Sequence, residues 1–443
     1  MEYGVFSGLG IFFVGIAMGL PLAWVFLGSA LVSLLVIQGS FTFMPGTLYH
    51  SMDNYVLMAI AFFIFAGNLI AESGIAQRLI RLSYALVGRV KGGLVDVGIL
   101  AAVFMGALTG SSIPVIAALI PILVPGLEKL GYERKYVTAV LCSSSFLGYL
   151  IPPSVPSLIY CMIAQQSVGA AFLATVFPGL LLAGGYILVN TFMCHKYYKP
   201  SKETIQFPAT LAGTVKEVGA SFWAALPAIG CPFIVLVGIY GGIFTTNEAG
   251  AVAVLYTALV GFFMYREMTL RGFWNSSQTT IVTMGMLALL MGFGIVFTRL
   301  LIREGVGEML TQFILSISTN KYAILFMINI LLLILGMFID GLPIMIIVVP
   351  LLLPLVKELD VNLIHLGAII VVNVGLGVVT PPYAISIFVG SRLGNVTYEE
   401  LVPPMMVYLL LVGLPVLFLT TYIPWLSCWL PTVVMGLKIV GPW

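Results

Sequence analysis

The stretch Thr109-Gly110-Ser111-Ser112-Ile113-Pro114 lies in a module that the chain uses twice. The first copy runs from residue 104 to 153 and the second from 333 to 382, an offset of 229 residues (343 minus 114, for example). The matching pairs are Pro114 and Pro343, Pro121 and Pro350, Pro125 and Pro354, Gly148 and Gly377, Pro152 and Pro381, and Pro153 and Pro382. So many coincidences at one offset indicate an internal repeat, in which Ser111 corresponds to Asp340.

The composition is that of an integral membrane protein. Of 443 residues, 60% are hydrophobic and only 8% are charged, whereas soluble chains carry about 25% charged residues. Six stretches free of Asp, Glu, Lys and Arg each reach the ~20 residues needed to cross the hydrocarbon layer. These stretches are 3–52, 97–127, 136–195, 218–247, 272–298 and 401–437. No basic cluster indicates nucleic acid, and the five scattered cysteines are expected to be small buried hydrophobic residues.

Two kinds of broken segment recur in the repeats. Residues 97–127 are too long for one span and too short for two, and glycine and hydroxyl residues lie at their centre. This pattern favours a re-entrant hairpin, because irregular backbone at membrane depth is tolerated only against protein or a water-filled cavity. The following span contains the Pro152-Pro153 pair, whose missing N–H groups free nearby carbonyls to bind a cation. The second copy has Asp340-Gly341-Leu342-Pro343 at its hairpin tip and Pro381-Pro382 in its broken span.

The expected organisation is all-helical. Residues 5–37 are expected to form either one long tilted span or two short spans separated near Pro21, with two short spans favoured. Residues 72–91 and 299–321 are expected to form interfacial helices, the first with alternating arginines. The predicted segments are scaffold helices at 1–52; repeat 1 at 53–194, with a hairpin at 94–130, a broken helix at 136–166 and a span at 172–194; a cytoplasmic linker at 195–217; spans and a second interfacial helix at 218–320; repeat 2 at 321–400, with a hairpin at 322–357 and a broken helix at 363–392; and a final span at 401–443.

Basic residues predict the orientation, because they favour the cytoplasmic side in short loops. Arginines and lysines flank the first hairpin on both sides, at positions 78–91 and 129–135. Five predicted crossings separate it from the second hairpin, and an odd number places that hairpin on the opposite side. The two repeats are therefore expected to be inverted, which is the transporter pattern.

The tips and breaks carry the candidate chemistry. Helix amino termini suit a carboxylate, while unwound carbonyls and helix carboxyl ends suit sodium. Asp340 is the only acid between Lys321 and Lys357, and a charge at the bilayer centre costs ~3 kcal/mol or more unless it is compensated. A bound cation would compensate it; alternatively, Asp340 caps its helix or is protonated. Glu248 is expected to cap a span, and the three histidines to lie at the interface.

Several stretches together resemble a known family. They include "GALTGSSIPVIAALIPILVPGLEKLGY", "LGYLIPPSVPSLIY", "GGIFTTNEAGAVAVLY", "LGMFIDGLPIMIIVVPLLLPLV" and "VVNVGLGVVTPPYAISIFVG". The chain resembles the large membrane subunit (DctM type) of tripartite ATP-independent periplasmic (TRAP) transporters. The resemblance implies an elevator-type sodium symporter of the ion-transporter superfamily, in a bacterial or archaeal inner membrane, with no other cofactor. It also implies a small four-helix membrane subunit (DctQ type) and a periplasmic substrate-binding protein (DctP type).

The family's sites are carried over by position. Candidate sodium site 1 comprises Thr109, Ser111, Gly148, Ile151 and Pro152, and candidate sodium site 2 comprises Asp340, Gly341, Gly377, Thr380 and Pro381. The candidate substrate region comprises Ser112, Pro153, Ser154, Asn373, Pro382 and Tyr383. The chain departs from the family pattern at Pro114 and Tyr149.

Three alternatives remain open at this stage. The implied function is import of an organic acid, such as a C4-dicarboxylate, sialic acid or another sugar acid, and the chain is not expected to be an enzyme. A sodium–dicarboxylate symporter of the same superfamily would work without a binding protein. An intramembrane enzyme needs at least two facing ionisable groups at membrane depth, and Asp340 is the one deep acid that the sequence indicates. A channel is a third possibility, although broken inverted repeats favour a carrier.

Overall fold

A computed structural model describes residues 2–89, 92–199 and 211–443. The described residues form helices and no strand beyond an isolated bridge between Tyr132 and Tyr198. Nine of these helices are long and apolar enough to cross a membrane, and a bent pair of helices would make ten. An apolar chain adopts helices here because every backbone group must find its hydrogen-bond partner inside the segment.

The first half of the chain contains twelve α-helices among the described residues. They are α1 (Glu2–Ala17), α2 (Leu22–Val36), α3 (Phe43–Met52), α4 (Tyr55–Glu72), α5 (Ile75–Val87), α6 (Gly93–Thr109), α7 (Ser112–Lys129), α8 (Arg134–Ser145), α9 (Leu147–Leu150), α10 (Val155–Ala164), α11 (Val168–Ala174) and α12 (Val176–Met193). Two short helices on either side of Pro21 were predicted, and α1 and α2 confirm them. The hairpin predicted at 94–130 is α6 with α7, and the broken helix is α8 to α10, bent by 41°.

The second half contains another twelve α-helices in the part that the structure describes. They are α13 (Leu211–Tyr240), α14 (Thr246–Leu259), α15 (Leu270–Arg303), α16 (Val306–Ile317), α17 (Lys321–Phe338), α18 (Gly341–Glu358), α19 (Leu363–Gly377), α20 (Ile385–Gly394), α21 (Tyr398–Tyr408), α22 (Leu414–Tyr422), α23 (Trp425–Met435) and α24 (Leu437–Val440). A π-helical turn continues α14, and another joins α21 to α22. The second hairpin is α17 with α18, and the second broken helix is α19 with α20.

Three predicted boundaries were wrong. One span was expected to begin at Thr280, but α15 begins at Leu270, because its polar first turns face α4. The Ser276 hydroxyl donates to the Asn68 carbonyl at 3.2 Å, and the Asn68 amide donates to Thr280 Oγ1 at 2.9 Å. The helix α13 already begins at Leu211, inside the predicted linker, whose residues 200–210 lie outside the described residues. The final span begins at Tyr398, before residue 401, and α23 follows it and packs against α11.

The interfacial helix α5 is held against the loop before α15. Its Arg78 pairs with Glu267, and the Arg78 guanidinium lies 4.1 Å from the centre of the Tyr265 ring. Its buried face carries Leu79 and Leu82. This confirms the amphipathic helix that the arginine spacing predicts.

The two hairpins and two broken helices meet in the middle of the molecule. A Cβ added to Gly375 of α19 would lie 2.6 Å from the Phe146 ring, and one added to Gly367 would lie 2.6 Å from the Tyr160 ring. The broken helices are therefore in direct contact, and each also packs against its own hairpin. Five spans separate the hairpins in the described chain: α8 to α10, α12, α13, α14 and α15. An odd number of crossings makes the two hairpins open to opposite membrane faces.

Candidate functional site

The tip of the first hairpin is a tight turn at Gly110 and Ser111. Gly110 has φ +60°, and a Cβ at this position would lie 2.4 Å from the Pro153 carbonyl oxygen, so only glycine fits. Ser111 is extended, and the Thr109 hydroxyl donates to the Ser111 carbonyl at 3.2 Å. The Gly110 carbonyl accepts a hydrogen bond from the Val155 N–H at 3.1 Å. The tip is thus bound directly to the start of α10.

Glycines let the first hairpin approach the first broken helix closely. A Cβ on Gly106 would lie 2.7 Å from Gly148 Cα, and a Cβ on Gly148 would lie 2.7 Å from the Ser111 carbonyl oxygen. The buried Thr109 side chain and the Ser111 and Gly148 backbones therefore lie together. This arrangement brings three of the five residues assigned to candidate sodium site 1 to one place.

The break between α9 and α10 frees fewer carbonyls than its two prolines suggest. Residues 151–154 lie outside the helices, and the Pro152-Pro153 peptide bond is cis. The Ser154 hydroxyl donates to the Tyr149 carbonyl at 2.5 Å, and the Thr175 hydroxyl donates to the Leu150 carbonyl at 2.7 Å. Two carbonyls that the broken helix exposes are therefore already satisfied. The Gly148 carbonyl receives no such side-chain bond from the described residues, which leaves it available to a cation.

The second hairpin turns at Asp340, which occupies the amino-terminal cap of α18. Its Oδ1 accepts a hydrogen bond from the Gly341 N–H at 2.8 Å, so the capping alternative raised by the sequence is confirmed. A Cβ on Gly341 would lie 1.9 Å from the Val374 side chain, so this tip is fixed against α19. The cap uses one carboxylate oxygen and leaves the other for a cation.

The second broken helix repeats the contact between glycines. A Cβ on Gly377 would lie 2.8 Å from Gly336 Cα, on the first helix of the hairpin. The Thr380 hydroxyl donates to the Leu376 carbonyl at 2.6 Å, and the Pro381-Pro382 bond is cis. Gly336 was not predicted as part of the site. The sequence feature that could have indicated it is its position four residues before Asp340 at the hairpin tip.

A narrow recess opens between the second hairpin and the second broken helix. Its lining residues are Gly336, Phe338, Ile339, Asp340, Val378, Tyr383, Ala384 and Ile385. The Tyr383 ring is exposed, and the Tyr383 N–H donates to the Met337 carbonyl at 3.1 Å. The recess thus joins Asp340 of candidate sodium site 2 to Tyr383 of the candidate substrate region.

Tyr149 of the first broken helix contacts the first hairpin. The Ser112 hydroxyl donates to the Tyr149 hydroxyl at 3.3 Å, and both side chains are buried. A residue that departs from the family pattern therefore lies against the start of α7.

Asn373 of the candidate substrate region lies in a separate buried cluster. Its amide nitrogen donates to the backbone carbonyl and to the side-chain oxygen of Asn329, at 3.1 and 3.0 Å. The Asn329 amide in turn donates to the Thr421 hydroxyl at 2.8 Å. Among the described residues, Asn373 Oδ1 has no hydrogen-bond partner. The structure therefore ties Asn373 to α17 and α22 through its nitrogen rather than to a hairpin tip.

A buried acid also lies near the start of the first hairpin, outside the candidate sites. Asp96, in the first turn of α6, is 1% exposed, and its Oδ1 accepts a hydrogen bond from the Asn190 amide at 2.7 Å. The protein itself thus satisfies this acid, which lies at the end of α6 opposite the hairpin tip.

Three other expectations can be compared with the structure. Thr245 and Glu248 form a reciprocal capping box at the start of α14, as expected for Glu248. His365 lies in the first turn of α19 and is buried, with its two ring nitrogens hydrogen-bonded to the Ser427 hydroxyl at 2.6 Å and the Thr421 carbonyl at 3.2 Å. The five cysteines are buried, as predicted.

Two re-entrant hairpins that face two broken helices across an inverted repeat define a multi-pass membrane transporter. The family model for the "Tripartite ATP-independent periplasmic transporter, DctM component" matches residues 9–426. The chain therefore belongs to the DctM family, the large permease components of TRAP transporters.

Relatives span nearly the whole chain. The C4-dicarboxylate TRAP transporter large permease protein DctM of Vibrio cholerae is 32% identical over 98% of this chain and 97% of its own length. The sialic acid TRAP transporter large permease protein SiaM of the same organism is 31% identical, covering 98% of this chain and 99% of its own length. The isethionate TRAP transporter permease protein DctMQ of Oleidesulfovibrio alaskensis is 34% identical over 94% of this chain, which spans only 64% of that longer protein.

A solved structure shares the fold. The crystal structure of the Alcanivorax borkumensis YdaH transporter matches with a TM-score of 0.58 and 15% identity, covering 87% of each chain. At this identity the likeness concerns the fold alone.

Proposed function

We propose that this chain is the large permease subunit of a sodium-coupled TRAP transporter that imports an organic acid across a bacterial or archaeal inner membrane. The observation that carries the proposal is Asp340, a carboxylate at a hairpin tip that faces a recess between the second hairpin and the second broken helix. An uncompensated charge at this depth costs ~3 kcal/mol or more. A sodium ion bound beside Asp340 removes that cost and makes the site ready for an anion.

The two candidate sodium sites are supported to different degrees. In repeat 1, Thr109, Ser111 and Gly148 lie together and offer carbonyl and hydroxyl oxygens, the ligands that a hard cation prefers. In repeat 2, Asp340 supplies the charge and lies beside the glycine contact between Gly336 and Gly377.

The proposed substrate is an organic anion delivered by a separate protein. Relatives are named for C4-dicarboxylates, sialic acid, 2,3-diketo-L-gulonate and isethionate. These compounds share an acidic group and differ in the rest of the molecule. A periplasmic binding protein of the DctP type would select among them, and a small four-helix subunit of the DctQ type would lie beside the permease. Transport would follow an elevator movement of the hairpins and broken helices.

Reconstitution tests this proposal. Proteoliposomes would contain the permease with its small subunit, the binding protein would be added outside, and uptake of labelled succinate, N-acetylneuraminate, 2,3-diketo-L-gulonate and isethionate would be measured. We expect saturable uptake of at least one compound under an inward sodium gradient and none under a potassium gradient. Uptake by the permease alone, without the binding protein, would instead support a sodium–dicarboxylate symporter. Sodium-independent, non-saturating flux would indicate a channel.

A further inference from the structure

The helices α10 and α20 are the second halves of the two broken helices, and they occupy matching places in the repeat. Val155 corresponds to Ala384, and Ser157 corresponds to Ser386, both at the offset of 229 residues. Each helix starts at the break, next to a hairpin tip. The first turn of a helix leaves backbone N–H groups without partners inside the helix, so each start needs caps or a ligand.

In repeat 1 the protein itself satisfies the start of α10. The Ser154 side chain accepts a hydrogen bond from the Ser157 N–H at 3.2 Å. The Val155 N–H donates to the Gly110 carbonyl of the hairpin tip at 3.1 Å. Pro156 has no N–H. The amino terminus of α10 is therefore closed.

In repeat 2 the matching start is open. The cap residue of α20 is Ala384, which has no side-chain oxygen to accept a hydrogen bond. Within the described chain, the N–H groups of Ala384 and Ile385 donate to no other group. The residue that matches the capping Ser154 is Tyr383, and the one that matches Pro156 is Ile385, which adds a donor.

A buried hydroxyl lies at the same place. The Ser386 side chain is 0% exposed, and its hydroxyl has no partner among the described residues. The matching Ser157 hydroxyl reaches the Ser154 oxygen, at the cap of α10, at 3.0 Å. In repeat 1 this hydroxyl thus helps to close the cap of its helix, whereas the Ser386 hydroxyl finds no partner in the part of the protein that the structure describes.

The recess occupies the gap. It is lined by Ile339 and Asp340 on one side and by Ala384 and Ile385 on the other. In repeat 1 the hydrogen bond between Gly110 and Val155 closes the corresponding space. The amino terminus of a helix carries partial positive charge and binds anions. The two halves of the site are therefore not equivalent.

We propose that the acidic group of the substrate binds at the amino terminus of α20, where the N–H groups of Ala384 and Ile385 and the Ser386 hydroxyl donate to it. This inference rests on the proposed function and names its anion subsite. Asp340 faces the same recess, so the anion and that carboxylate repel each other until a sodium ion lies between them. Sodium at Asp340 therefore precedes the anion, and this order couples the two.

Two substitutions in repeat 2 and one matched control in repeat 1 test the subsite. Ser386→Ala removes the hydroxyl, and Ile385→Pro removes an N–H by copying the residue of repeat 1, where proline suits the first helical turn. Ser157→Ala removes the matching hydroxyl of α10. Uptake of the four labelled compounds would be measured in the reconstituted system, together with the rise in unfolding temperature that each compound and sodium alone give to the purified permease.

We expect Ser386→Ala and Ile385→Pro each to lower the affinity for the anion, as measured by uptake and by the rise in unfolding temperature, about tenfold or more. This is the usual effect of losing a hydrogen bond to a charged group. Stabilisation by sodium alone should stay at the wild-type level, which shows that both variants fold. The uptake rate of Ser157→Ala should lie within about twofold of the wild-type rate. Wild-type anion binding in Ser386→Ala and Ile385→Pro, or loss confined to Ser157→Ala, overturns the subsite alone. Absence of sodium-driven uptake by the wild-type complex overturns the proposed function, and the subsite with it.

Discussion

Single residues decide the chemistry of the two hairpin tips. In the repeat, Ser111 and Asp340 match, yet the first tip offers backbone and hydroxyl oxygens whereas the second adds a charge. Asp340 combines two tasks, since Oδ1 caps α18 through the Gly341 N–H while the carboxylate faces the recess. The negative charge is needed only for binding a cation, because a neutral side-chain oxygen also caps a helix.

The first prediction concerns Asp340→Asn. The amide keeps an oxygen for the cap but removes the charge that compensates sodium, so we expect sodium-driven uptake to fall to background while the protein stays folded. Asp360→Asn is the control, because Asp360 is an exposed acid in the loop after the same hairpin. Uptake and thermal unfolding of both variants would be compared in the same preparation. Near-normal uptake by Asp340→Asn at ordinary sodium would remove this acid from the coupling site.

The second prediction concerns Gly110→Ala. A Cβ at Gly110 would collide with the Pro153 carbonyl at 2.4 Å, and its φ of +60° alone costs a non-glycine residue about 1–3 kcal/mol. We expect a clear loss of thermal stability in detergent. Gly126→Ala in the same hairpin has nothing within 4 Å of the added Cβ, so it should be neutral or slightly stabilising. Equal unfolding temperatures for the two variants would contradict the tight contact at the tip.

Sequence could place the residues that the repeat offset or the hairpin motif marks. Ser111 and Gly148 match Asp340 and Gly377 at the offset, Thr109 belongs to the hairpin motif, and the structure brings the three together. Gly336 was missed because it falls one residue outside the offset of its counterpart Gly106. The free amino terminus of α20 could not be predicted, since it depends on which backbone groups find partners after the chain has folded.

At the scale of helices, a chain of buried polar side chains connects four helices, α6, α8, α12 and α21. Asp96 on α6 accepts from Asn190 on α12, and the Tyr136 hydroxyl on α8 donates to Asn190 Oδ1 at 2.6 Å. The Tyr136 and Tyr408 hydroxyls lie 2.9 Å apart, which adds α21. All four side chains are almost fully buried. Such a network fixes the relative positions of these helices, because leaving one member unpaired is costly.

The third prediction is a coupling between Asp96 and Asn190. Asp96→Ala and Asn190→Ala should each destabilise the protein, since each leaves a buried partner unsatisfied at a cost of about 1–3 kcal/mol. The double variant should lose less than the sum of the two single losses. Unfolding of all four proteins in detergent measures the coupling. Strictly additive losses would show that the two side chains do not support each other.

Re-entrant hairpins and broken helices were predictable where glycine and proline interrupt an apolar run, because these residues disrupt helices whatever surrounds them. Both hairpins and both broken helices follow from that rule. Helix starts were less predictable: the span was expected to begin at Thr280, yet α15 begins at Leu270 and carries Ser276 in its polar first turns. These hydroxyls are accommodated by Asn68 on α4, and such a partner becomes visible only in the folded chain.

At the scale of the whole molecule, two inverted halves give one shared centre. The broken helices touch through Phe146 and Gly375, and through Tyr160 and Gly367. An inverted pair allows the same centre to be reached from either membrane face by equivalent movements. Coupling of sodium to an organic anion depends on this arrangement, because each hairpin closes the centre from its own side.

Labelling from the two sides of the membrane tests this arrangement most directly. Lys129 and Glu358 end the two hairpins at matching positions, and both are exposed. In a chain whose five buried cysteines are replaced, Lys129→Cys and Glu358→Cys would be treated in cells with a membrane-impermeant thiol reagent. We predict that Glu358→Cys reacts from outside, whereas Lys129→Cys reacts only after the membrane is opened. Reaction of both positions from the same side would contradict inverted halves and, with them, the proposed transport site.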